Sequence, residues 1–276
     1  YQLQREVNQQ LRLATEVARA QAEISSTKRI LAPSDDPVGA ARVSDIARAQ
    51  ANQEIWRTNL DSADALASNA EGVLAALTSA FDRANQLMLS ASNGTQSPEN
   101  RNAIALELES IAEEVAALRE TRDSRGGLLF PTAAASLRLP VGPDLSIAAV
   151  GTREGVFETV ATSGGARSLH AILASAAAAV RSNDPAAIAT ALAETNAGSA
   201  HVIAAHSEQG SRGARIDTLR DRIASSAIAL KEERANIEGA DIMEVVARLQ
   251  SKQLSLEAAQ ATFARINRST LFDLLS

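Results

Sequence analysis

Apolar residues recur along this chain with the period of an α-helix at both ends, and with a different rhythm only in the middle. Leu13, Val17, Ala20 and Ile24 follow at spacings of four, three and four, one stripe of a helix from Gln2 to about Ser25. A longer pattern runs from about Val38 to Met88. In its second half Leu60, Ala63, Ala67, Ala70, Leu74, Leu77, Phe81, Ala84 and Met88 alternate steps of three and four, the seam of a coiled coil. Ser92–Ser97 breaks that helix. Ser97 then offers an N-cap, Pro98 the first helical position and Glu99 a favourable charge in the first turn. Ile104, Leu108, Ile111, Val115 and Leu118 resume the rhythm, which predicts a second helix folded back along the first.

The middle reads differently. Between Gly126 and about Arg167, glycines and prolines punctuate short alternating stretches: Leu137 to Val141, Leu145 to Ile147, and Val156-Phe157 after a turn at Gly151–Gly155. These predict small strands in one or two hairpins, too short for a domain with its own core. Helical spacing returns at Leu169, Ile172, Leu173, Ala176 and Val180, and Asp184 with Pro185 starts another helix. GSRG (Gly210 to Gly213) reads as a flexible interruption, followed by Ile216, Ile223, Leu230 and Ile237 at every seventh position. Gly239-Ala240-Asp241 shifts the phase, and Ile242, Leu249, Leu256 and Phe263 carry the seam on a new face, which makes Gly239 a candidate hinge. The fold expected is mainly α: a long antiparallel helical bundle or coiled coil formed by the N- and C-terminal halves, with a small β-rich region between them.

One turn stands out among the helical patterns. Pro33 and Pro37 forbid helix between the first two helical segments, because each lacks an N–H and restricts the residue before it. Asp35 or Asp36 can cap the helix that follows, with Pro37 in its first turn. The same two aspartates could be read as a pair of catalytic carboxylates, but their place between two prolines favours capping and turn formation.

Composition narrows the function. Hydrophobic residues make up 45% of the 276 residues but aromatics only 3%, so Ala carries much of the core and lets helices approach closely. The formal net charge of -6 argues against a nucleic-acid partner. Only Lys28, Lys231 and Lys252 are Lys among 27 basic residues. That Arg excess suits planar hydrogen bonding at interfaces, and a genome rich in G and C explains it equally well. Without cysteine there is neither a disulfide nor a thiolate metal site. No apolar run is long enough to span a bilayer, and no signal peptide precedes the first helix, so no membrane partner is expected.

Catalytic chemistry finds little support. His170, His201 and His206 are the only histidines, and the last two, five apart, fall on different helix faces. Glu113-Glu114 and Glu232-Glu233 read as solvated helix positions. Gly126-Gly127 and Gly164-Gly165 lack the strand-then-helix setting of a phosphate loop. Trp56, the only Trp, reads as core packing, with a subunit contact as the alternative. Neither an enzyme nor a cofactor or metal site is expected.

In their order along the chain, several segments resemble the flagellin superfamily. ISSTKRILAPSDDPVGAA (Ile24 to Ala41) is similar to the turn after the first flagellin helix, and SASNGTQSPENR (Ser90 to Arg101) to the loop between its two N-terminal core helices. RGGLLF (Arg125 to Phe130) resembles the passage from that core to the variable part. GSRGARIDTLRDRI and ANIEGADIMEVVARL (Ala235 to Leu249) follow the C-terminal pattern. PSDDP, the short strand-like middle and the ending TLFDLLS (Thr270 to Ser276) resemble members at the hook–filament junction more than filament flagellins.

The resemblance implies a self-assembling axial protein of the bacterial flagellum, exported through the flagellar type III apparatus without a cleaved signal. It implies inner, tube-forming terminal helices at 1–37 and 240–276, a helical core bundle at 38–127 and 168–239, and a small outer β region at 128–167. It also implies as partners further copies of the chain, hook-associated protein 1, flagellin and an export chaperone at the C-terminal helix. Leu13, Val17, Ile24, Ile242, Leu249, Leu256 and Phe263 are then the expected assembly stripe. Pro33, Asp35, Asp36, Pro37 and Gly239 are the expected turn and hinge. A short filament flagellin is the near alternative. A sensory coiled coil like a chemoreceptor hairpin is the distant one, and the Pro- and Gly-bearing middle counts against it.

Overall fold

The computed structural model describes residues 2–94 and 96–273, and side chains for 4–94 and 96–265. Tyr1 and the last three residues of the Thr270–Ser276 motif lie outside the described residues. Among the described residues six α-helices carry the chain: α1 Gln2–Ser26, α2 Pro37–Ala91, α3 Pro98–Arg119, α4 Leu169–Ser182, α5 Pro185–Glu238 and α6 Ile242–Asp273. Between α3 and α4 lie the strands β1 Leu139–Gly142, β2 Leu145–Ile147, β3 Val160–Thr162 and β4 Gly165–Arg167. The chain divides into two compact units, one of Tyr1–Asn52 with Ser225–Ser276 and one of Gln53–Ala224. The helix starts at Pro37 and Ile242 do not coincide with this division, which falls inside α2 and α5.

The second unit holds the main core. The whole three-four seam of α2 from Leu60 to Met88 is buried, together with Leu108, Ile111 and Val115 of α3 and Leu169, Ile172, Leu173, Ala176 and Val180 of α4. Ser97 caps α3 by accepting from the Asn100 amide at 3.2 Å, with Pro98 as its first residue. Asp184 accepts from Ala186 N at 3.0 Å and starts α5 at Pro185. The low aromatic content finds its use where α5 crosses α2. A Cβ built on Gly198 would lie 2.4 Å from Phe81 Cε1, so only Gly lets the buried ring sit against the α5 backbone.

Two local expectations need correction. Val156 and Phe157 do not form a strand but lie in a π-helical turn, Glu154–Glu158. Thr152 starts it, its carbonyl accepting from Val156 N at 3.0 Å and its hydroxyl from Gly155 N at 3.2 Å. In a strand these neighbours would point to opposite faces. The helical turn buries both, and Phe157 meets Phe130 edge-on with centroids 5.4 Å apart. GSRG is likewise no interruption, since α5 runs through it unbroken. Gly costs about 1 kcal/mol against Ala in a helix interior. Buried Gln209, Ile216 and Leu219 on either side hold the helix regardless.

The β region consists of two antiparallel hairpins: β1 on β2, with Leu139 opposite Ile147, and β3 on β4, with Val160 opposite Arg167. It has no separate core. Leu139, Val141, Ile147, Val150, Phe157 and Val160 belong to the same buried cluster as the helices. Side chains of α2 and α5 also bind its backbone: Asn59 Nδ2 donates to Pro140 O at 2.7 Å and Gln209 Nε2 to Ala149 O at 2.9 Å. His201 Nε2 lies 3.2 Å from Val156 O, which gives that histidine a structural partner, while His170 is exposed. Trp56 is half-buried on α2.

Candidate assembly interface

In the first unit α1 and α6 lie antiparallel. Residues of falling number on α1 meet residues of rising number on α6, from Glu23 with Arg248 through Glu16 with Lys252 to Gln10 with Ala259. Leu13, Val17 and Ile24 of α1, and Ile242, Leu249, Leu256 and Phe263 of α6, are all half-buried. The best-covered apolar positions of the pair are Ala20, 3% exposed, and Val245, 2% exposed. Reading α6 at every seventh residue passed over Val245; a step of three from Ile242 reaches it. Beyond the stripe, Leu11, Leu254 and Met243 stand 61%, 69% and 81% exposed. The pair therefore covers only part of its apolar surface within one chain.

Charged residues fix the pair where sequence reading saw only apolar positions. Glu23 is buried at 3% exposure between α1 and α6, with Arg19 on one carboxylate oxygen at 3.1 Å and Arg248 on the other at 3.2 Å. Arg19 and Glu23 stand four apart on α1, a spacing at which helix side chains meet, and that was the signal available in the sequence. Together with Glu16, Ala20 and Lys252 they line a cleft along the pair.

The turn between α1 and α2 is built on the two aspartates. Asp35 Oδ2 accepts from the amides of Leu31 at 3.0 Å and Ala32 at 2.9 Å, and its other oxygen pairs with Arg19 at 2.9 Å. Asp36 caps α2, accepting from Gly39 N at 2.9 Å, with Pro37 as the first helical residue and Arg29 at 3.2 Å. A Cβ on Gly39 would come within 2.6 Å of the Asp36 carboxylate, so the cap needs glycine there. Pro33 lies between the two amides that Asp35 binds and Asp35 itself. The turn is tied to the break between α5 and α6. Arg29 N donates to Glu238 O at 2.7 Å, Ala240 N to Thr27 O at 3.0 Å, and Lys28 bridges Gly239. Gly239 has its own tight contact: a Cβ there would lie 2.4 Å from Ala235 O, which accepts its amide at 2.8 Å.

Both carboxyls are held below the usual aspartate range. For Asp35 the cause is first the Ala32 amide, then the Leu31 amide and the Arg19 charge; for Asp36 it is the Gly39 amide and then Arg29. A depressed folded pKa contributes stability that is present above the unfolded value of 3.8 and is lost as pH falls through the folded one. Protection of the Leu31, Ala32 and Gly39 amides, corrected for intrinsic exchange rates, should therefore hold from neutrality down to the carboxylate range and collapse only below it. Loss of protection between neutrality and that range would assign the turn to other groups.

Among the described residues no group of His, Asp or Glu is placed to hold a metal, and no helix is long and apolar enough to cross a membrane. What the geometry offers is a part-covered helix pair closed at one end by a charged turn. The bacterial flagellin N-terminal helical region matches residues 2–132 and the bacterial flagellin C-terminal helical region residues 173–275. The chain belongs to the flagellin superfamily. It is 24% identical to flagellar hook-associated protein 3 of Escherichia coli (strain K12) over 91% of this chain and 90% of that one. The same protein of Salmonella typhimurium gives the same identity and coverage. The crystal structure of flagellar hook associated protein-3 from Legionella pneumophila shares the fold, with a TM-score of 0.62 and 13% identity over 71% of this chain and 99% of that one. This flagellin-family chain is a structural component of the bacterial flagellum and not an enzyme.

Proposed function

We infer that the chain is the axial subunit joining hook to filament and that it self-assembles through α1 and α6. The observation that carries this reading is the terminal pair itself. Leu13, Val17, Ile24, Ile242, Leu249, Leu256 and Phe263 stay half-buried in a single chain, beside the mostly exposed Leu11, Leu254 and Met243. Neighbouring copies would cover the rest. The name hook-associated protein 3, carried by relatives that align over nine-tenths of the chain, and the small β region support the junction over the filament.

On this reading 1–37 and 240–276 form the inner layer, 38–127 with 168–239 the bundle, and 128–167 the outermost part. Pro33, Asp35, Asp36 and Pro37 set the path from α1 into α2, and Gly239 is the hinge between α5 and α6. Hook-associated protein 1 and flagellin are the axial neighbours, and an export chaperone covers α6 before the chain leaves the cell through the type III apparatus. The protein then acts outside the cell.

Immunogold labelling of purified flagella tests the position: a band at the distal end of the hook is expected, and continuous labelling of the filament would identify a short flagellin instead. Amide exchange tests the mode of assembly. A narrow two-helix seam has little to offset an ordering entropy of roughly 1–2 kcal/mol per residue. Residues 2–26 and 242–273 should therefore exchange fast in dilute monomer and slowly once assembled, and strong protection of both in a verified monomer would end the proposal of assembly-driven pairing.

A further inference from the structure

Each oxygen of two carboxylates has its own donor atoms along one line from α6 into the turn. Glu23 Oε2 accepts from Arg248 Nη2 of α6 at 3.2 Å, and Glu23 Oε1 from Arg19 Nε at 3.1 Å. Arg19 Nη2 reaches Asp35 Oδ1 at 2.9 Å, while Asp35 Oδ2 holds the Leu31 and Ala32 amides. Arg19 is thus divided between two acids, while Arg248 holds the far oxygen of Glu23.

We propose that Glu23 is a positioning residue that reports the docking of α6 to the α1–α2 turn by competing with Asp35 for Arg19. A guanidinium presents a planar fork that matches a carboxylate through two parallel hydrogen bonds. Glu23 is 3% exposed, so an oxygen deserted by Arg248 is left half-paired in a largely buried place, which is costly for a carboxylate. Arg19, half-exposed and already bonded to the other Glu23 oxygen, is a donor within reach. By turning both of its arms to Glu23 it leaves Asp35, whose grip on Leu31 and Ala32 then weakens. With Arg248 in place, Glu23 needs one bond from Arg19, and the second arm secures the turn. The Arg19–Asp35 hold on the turn is thus made firm when α6 lies on α1, although among the described residues no hydrogen bond or ion pair joins Arg248 to Asp35.

The significance for assembly rests on the proposed axial role; the coupling itself does not. The test is amide exchange at Leu31 and Ala32 in the assembled full-length chain, with the Val245 region as the measure of α6 docking. Arg248→Met should speed exchange at the two turn amides on the order of 3- to 10-fold, as in a coupled charge network. Adding Glu23→Met removes the competitor, leaves no unpaired buried charge, and should return the turn to within about twofold of the original rate.

If the single variant does not assemble, the double variant must, with its turn protected. Unchanged turn exchange in Arg248→Met, or a double variant that exchanges as fast as the single one or fails to assemble, overturns the proposal. If the unsubstituted chain itself forms no assembly, the axial reading falls. The same comparison is then made on the soluble chain, where a freely exchanging Val245 would itself overturn the proposal, because α6 is then not docked on α1.

Discussion

Leu249→Asp should abolish assembly and leave the Gln53–Ala224 unit folded. Leu249 is half-buried within one chain, on the helix that pairs with α1 and in a stripe left only part-covered. A carboxylate buried there without a partner costs several kcal/mol, roughly 2–7 by the scale for unpaired polar groups and more while it stays charged. Each copy in a polymer carries the same defect, so the effect multiplies along the contact. The main core, from Leu60 to Leu219, contains no residue of α6 and should not feel the change. Sedimentation should find no assembled material, while circular dichroism and the denaturant midpoint of the central unit stay within error. An assembling variant would remove Leu249 from the interface and with it the every-seventh-residue reading of α6.

Much of this fold was legible because helices announce themselves twice, by apolar spacing and by the residues that end them. The α2 seam, the Ser97 cap, the Asp184-Pro185 start and the Pro33–Pro37 turn each rest on local chemistry that acts within a few residues. Where tertiary contact outweighs local preference, the sequence misleads. GSRG has two glycines and reads as flexible, yet the core contacts of its neighbours carry the helix through it. Val156-Phe157 follows a glycine turn and is β-prone, yet both side chains are needed inside, which only a helical turn permits.

The candidate interface divides in the same way. Its apolar stripe could be listed from periodicity, because helix geometry repeats. The buried Glu23 with its two arginines could not, because the partner Arg248 lies more than two hundred residues away, and charged residues on a helix normally face water. The Arg19–Glu23 spacing hinted at a pair without showing that it was buried. Gly198 was equally silent. A glycine among alanines in a helix reads as a small loss of propensity until the ring beside it is seen.

That glycine carries the largest expected effect on stability. Gly198→Val should destabilise the central unit by about 2–4 kcal/mol, at the upper end of the range for overpacked cores. The added Cβ would sit 2.4 Å from Phe81 Cε1 and 3.1–3.2 Å from two further ring atoms. Phe81 is fully buried, so the ring has nowhere to retreat without moving α2 away from α5. Gly198→Ala separates the two opposing terms. It gains up to ~1 kcal/mol of helix propensity and still makes the same clash, so it should be destabilising by less than the Val variant. Shortening the ring in the Ala background, as Phe81→Leu, should recover part of the loss, since the clash needs both partners. The two changes together should therefore cost less than their sum. Urea titration of the full chain reads all four values; the midpoint should fall with the slope unchanged. If Gly198→Val melts like the unsubstituted chain, or if the Ala and Leu changes simply add, the close approach of Phe81 to the α5 backbone does not hold that crossing together.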